Sequence, residues 1–180
     1  MTKALSAALG VLLLVALTAC GSSKSDNKDD LSAGEKKAVA SLEKAFTEST
    51  TGALTKTEAS CVATGFVSSV GLKKLKSTKL ITAEGELNTT GSPEFDADTS
   101  GKFADSLLDC VDYQKRLATE TAKTDKTIDA DKFQECLEDK LPDSLVKKML
   151  VASQTSSSDS AEISEQGNKA LTDCKDAAKK

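Results

Sequence analysis

The chain has 180 residues, 24 basic and 28 acidic side chains, a formal charge of -4 and no histidine. Without histidine there is no Ser-His-Asp or Cys-His nucleophile system and no His-ligated zinc or haem centre, and mild acidity argues against nucleic acid and against a polybasic grip on anionic lipid. Apolar residues make up 38% and aromatics 3%, with no Trp and one Tyr, so the core rests on Leu, Val, Ala and Phe and is thin beside the about 45–50% apolar content of ordinary domains, a figure that also counts glycine.

Taken in order, the chain opens with Lys3 and a free amine, followed by an apolar run from Ala4 to Leu17 interrupted only by Ser6 and Gly10. A spanning helix needs about 20 apolar residues, and this run stops short at the small residues Thr18 and Ala19, the pattern of a cleaved signal peptide. Leu17-Thr18-Ala19-Cys20 resembles the lipobox of bacterial lipoproteins. The resemblance implies that residues 1–19 are removed, that Cys20 carries a diacylglycerol thioether, and that its new amine is acylated by a palmitate-like chain. Two or more chains anchor stably where one does so only reversibly, so the expected location is the extracytoplasmic face of the cell membrane, lipid-anchored.

Residues 21–30, GSSKSDNKDD, hold no apolar side chain. With Cys20 they read as a flexible tether (20–30) reaching at most about 35 Å, and residues 31–180 read as a single helical domain. Ser32 with Glu35 is a capping box leading into Val39, Leu42 and Phe46 at helical spacing. Thr55 with Glu58 repeats the box before Val62, Phe66 and Val70, and Gly71 stops that stripe. Leu72 to Ile81 suggest a short third helix or turn, with Lys73, Lys74, Lys76 and Lys79 as a solvated face.

Thr82 to Gly101 read as a long surface loop, of the kind that is often functional or mobile. Phe103, Leu107, Leu108, Val111 and Leu117 mark a helix bearing Cys110, and Thr119 to Thr127 a polar connection. Asp129 or Asp131 caps a helix with Phe133, Cys136, Leu137 and Leu141. Pro142 fits the first turn of the next, with Leu145, Val146, Met149 and Leu150 inward. Residues 154–160 are a flexible link, and Ile163, Ala170, Leu171 and Cys174 define the last helix. The expected fold is all-α, a small bundle of about six helices.

Setting Cys20 aside leaves Cys61, Cys110, Cys136 and Cys174, an even set that in an exported protein reads as two disulfides. Four cysteines allow three pairings, and an internal duplication selects among them. Laying Cys61 on Cys136 aligns Val62, Phe66, Val70 and Leu75 with Leu137, Leu141, Leu145 and Leu150. Laying Cys110 on Cys174 aligns Leu107 with Leu171 and Asp109 with Asp173. Repeats at 55–113 and 129–178 would pair Cys61 with Cys110 and Cys136 with Cys174.

The one site-like string, Asp96 to Phe103, resembles the front half of an EF-hand calcium loop through Asp96, Asp98, Ser100 and Gly101. That family places a bidentate Glu at position twelve, where this chain has Leu107; Asp98 or Ser100 as the cap of the next helix is the simpler reading. No metal, cofactor or catalytic residue is expected. The expected role is an envelope interaction or structural module without enzymatic activity. Its partners would be the membrane, through Cys20, and an envelope protein; the alternative is a binding protein holding a small apolar or amphipathic ligand between helices.

Overall fold

Both capping boxes form. Ser32 Oγ accepts from the Glu35 N–H at 3.3 Å while the Glu35 carboxylate accepts from the Ser32 N–H at 2.9 Å, and Thr55 and Glu58 repeat the exchange at 3.3 and 2.7 Å. These two boxes open α1 (Ala33–Glu48) and α2 (Lys56–Val70). The computed structural model describes residues 31–49, 53–90, 92–155 and 159–180.

Gly71 sits between α2 and the short α3 (Leu72–Ser77) at φ 81° and ψ 146°, backbone that side-chain-bearing residues avoid. The sharp bend brings α3 back onto α1, where Leu72 Cδ2 lies 2.8 Å from the position a Cβ on Gly34 would take. The remaining helices are α4 (Ala97–Cys110), α5 (Tyr113–Thr124), α6 (Ala130–Lys140), α7 (Asp143–Gln154) and α8 (Ser160–Ala177). Among the described residues the only extended pairing is two isolated bridges, Ile81 with Leu87 and Ile128 with Lys179.

The described residues are thus all-helical, with eight helices rather than about six. One source of the difference is the stripe from Phe103 to Leu117, which breaks in two. Val111 and Asp112 take extended backbone, and the Asp112 carboxylate accepts from the Lys115 N–H at 3.0 Å to start α5. Most of the expected polar connection from Thr119 to Thr127 belongs to this helix. Its inward face is Gln114, Ala118 and the half-buried Tyr113 and Leu117, too sparse to register as a stripe. Pro142 is the N-cap of α7, one position before the expected first turn, and α4 begins within the expected loop.

The apolar side chains form two cores. The first gathers Val39, Leu42, Phe66, Val67, Leu75 and Ile81, with Phe95 and Phe103 packed against it. The Phe66 ring meets Phe103 at 5.2 Å and Phe95 at 6.2 Å, both edge-on, an arrangement that suits the ring quadrupoles. The second core gathers Ile128, Phe133, Leu137, Leu141, Val146 and Cys174. Helix α2 packs on α1 and α4, α6 on α5 and α8, and α7 on α8; α4 packs on α7 and joins the two halves.

Because Phe66 is 1% exposed and touches both partner rings, Phe66→Ala should cost about 3–5 kcal/mol of folding free energy. Urea unfolding of the purified domain checks this, and an unchanged midpoint would contradict the packing.

Candidate functional site

Cys20, the expected lipidation site, lies outside the described residues. The other four expected site residues come together in two pairs. Cys61 on α2 is bonded to Cys110 on α4, with Cα atoms 5.8 Å apart, and Cys136 on α6 is bonded to Cys174 on α8 at 5.4 Å. Small residues let α2 and α4 close up beside the first bridge: a Cβ on Gly65 would lie 3.3 Å from Ser106 Oγ. The second bridge is sealed on one side, Cys174 being 0% exposed.

The calcium-loop-like string is a helix start. Asp96, rather than Asp98 or Ser100, is the cap of α4: its carboxylate accepts from the Thr99 N–H at 2.8 Å and from Lys74 Nζ at 2.6 Å. The Lys74 ammonium, with the Thr99 N–H behind it, holds the Asp96 carboxyl far below the usual carboxylate range. Asp98 is paired with Lys102 at 2.8 Å one turn along the helix. Ser100 turns inward, 0% exposed. Both carboxylates are therefore matched to ammoniums, and the oxygens stand on a helix instead of lining a loop. Calorimetry at micromolar calcium should show no saturable heat; a saturable signal lost when Asp96→Ala is combined with Asp98→Ala would overturn this.

The lysines of the α3 region are divided. Lys74 holds Asp96, Lys76 donates to the Ala83 carbonyl at 2.6 Å and Lys79 pairs with Glu94 at 2.7 Å. These ties, with Asn88 N–H to Leu80 O at 2.9 Å, fold residues 78–90 and 92–95 back toward α3, and Leu87 N–H to Ser41 Oγ at 2.8 Å fastens them to α1. The described part of the expected loop ahead of α4 is thus a hydrogen-bonded strap.

Sequence reasoning missed the polar ties between the halves. Arg116 of α5, the chain's single arginine, meets the Glu58 carboxylate at 3.1 Å and donates to the Ala53 carbonyl. Burial works to raise the Glu58 carboxyl, but the Thr55 hydrogen bonds and the Arg116 guanidinium outweigh it and hold the group below its ordinary range. Lys147 of α7 pairs with Asp105 of α4 at 2.6 Å. Gln114 Nε2 donates to the Leu141 carbonyl and the Asp143 carboxylate, each at 2.9 Å, which satisfies the end of α6. The lone arginine in a lysine-rich chain was the available signal, since a fork of donors suits a carboxylate and a carbonyl at once.

A groove of about 430 Å³ lies along α1 and the start of α2, lined by Ala40, Glu43, Lys44, Thr47 and Lys56. No described helix is long and apolar enough to cross a membrane. Compared with protein-family models, with curated proteins and with solved structures, the chain matches none.

A depressed carboxylate stabilises the fold above its ordinary pKa of 4.5 and loses that contribution as pH falls through its folded value. Arg116→Gln should therefore lower stability at neutral pH by on the order of 1–2 kcal/mol. The gap to the parent should close as Glu58 protonates in acid. Denaturation at a series of pH values checks both parts, and a gap that stays constant would contradict the assignment.

Proposed function

We propose that the protein is a bacterial lipoprotein, held by lipidated Cys20 on the extracytoplasmic face of the cell membrane, and that it serves there as an interaction or structural module of the envelope. One observation carries the reading: Leu17-Thr18-Ala19-Cys20 closing an apolar run too short to span a bilayer. Pairing of the other four sulfurs suits an oxidising, exported setting. The reading assigns no catalytic residue and no cofactor, and its partners are the membrane and an envelope protein.

The alternative, a carrier for a small apolar or amphipathic ligand between helices, draws less support. Apolar ligands favour concave sites that bury most of the ligand's surface, and the groove along α1 lies open to solvent, with the charged groups of Glu43, Lys44 and Lys56 along it. Native mass spectrometry of the unlipidated domain from its own host separates the two. A clean apo mass with specific protein crosslinks fits the interaction module, and a persistent small-molecule adduct fits the carrier.

The two halves also fit one duplicated unit within 31–180, with repeats at 55–113 and 129–178. In support, each disulfide joins the second helix of its half to the fourth, α2 to α4 and α6 to α8. In both halves the second helix also packs on the first.

Cys20→Ala should abolish incorporation of labelled fatty acid in a bacterial host and leave uncleaved or mislocalised precursor in place of the detergent-phase product. Continued labelling of that variant would overturn the anchor.

A further inference from the structure

Each core belongs to one half, each disulfide stays inside one half, and the chain passes between halves through Val111 and Asp112 alone. The extensive helix contact between the halves is α4 on α7. Its apolar part is modest: Leu108 of α4 reaches the second core, where it packs among half-buried side chains.

The rest of the seam is polar. Arg116–Glu58 and Lys147–Asp105 cross it, the first pair with side chains 26% and 24% exposed, the second 41% and 54%. Among the described residues, the Thr64 hydroxyl on α2, the Thr99 and Ser100 hydroxyls on α4 and Gln154 Oε1 on α7 are buried without a hydrogen-bond partner. Burying such atoms is unfavourable, and three of the four lie on the two helices that join the halves. Exposed ion pairs contribute little and weaken with salt.

We propose that this seam is a hinge: two disulfide-closed halves turn as bodies about Val111 and Asp112, and the Arg116–Glu58 and Lys147–Asp105 pairs are the latches that hold them closed. Opening would leave both bridges and the fully buried residues of each core in place. The opposing cost is Leu108, drawn out of its contact with the second core, and Val111, 4% exposed when closed. The proposal is independent of the lipid anchor, since it concerns the helical domain alone.

The test is a distance measurement between spin labels on introduced cysteines at exposed positions. The other four sulfurs are bonded to one another and Cys20 is replaced by Ser in every labelled variant, so the introduced thiols alone react. Ser68→Cys with Glu165→Cys reports across the seam, and Glu135→Cys with Glu165→Cys reports within the second half. Adding Arg116→Gln and Lys147→Gln should lengthen and broaden the cross-seam distance and leave the within-half distance and helical circular dichroism unchanged. An unchanged cross-seam distance, or both distances broadening together, would overturn the hinge. Should the double variant fail to fold, the same labels with the latches intact are read in low salt and at about 1 M salt, where screening acts over about 3 Å. A cross-seam distance that lengthens with salt supports the hinge, and one that does not overturns it.

Discussion

Scarcity of apolar surface is the constraint from which the rest of this structure follows. A chain with 38% apolar residues, almost no large aromatics and 29% charged residues has little hydrophobic burial to set against chain entropy. Instead of one large core it builds two small ones, each with a single deeply buried ring at its centre, Phe66 or Phe133. Each core is closed by a covalent bond. Bridges spanning 49 and 38 residues each remove roughly 4 kcal/mol of unfolded-state entropy in the chain-entropy picture. That is a large fraction of the 5–15 kcal/mol by which domains are typically stable.

The same scarcity shapes the contact between halves. Beside the two cores, the helices that join the halves carry Leu108, Val111 and two small buried side chains, Ala104 on α4 and Ala152 on α7, together with the two ion pairs. Under the proposed duplication, the α8 positions equivalent to Gly101, Asp105 and Leu108 of α4 are Glu165, Lys169 and Thr172, all exposed. The surface α4 uses against α7 is therefore not repeated on α8.

Local signals were the legible ones. Ser32 and Glu35, Thr55 and Glu58, and Gly71 each act within a few residues of themselves, so α1 and α2 could be read with their starts and stops. The four cysteines could be paired because each sits on an apolar stripe whose spacing recurs. What could not be read depends on neighbours distant in sequence. Helix α5 has few apolar residues and is held by Gln114 to the end of α6 and by Arg116 to the start of α2. Asp96 outcompetes Asp98 and Ser100 as the cap partly because Lys74, 22 residues earlier, settles on its carboxylate. Gly167 is read as an ordinary helical residue until α7 is in place, when Met149 Sδ lies 2.5 Å from where a Cβ would stand.

The account depends most on each half being closed by its own bond, Cys61 to Cys110 and Cys136 to Cys174. Non-reducing peptide mapping of the helical domain tests it directly. The account predicts two linked peptide pairs, one holding Cys61 with Cys110 and one holding Cys136 with Cys174, and no free thiol. A Cys61 to Cys136 link would tie the halves together and contradict both the two-unit architecture and the hinge between its parts.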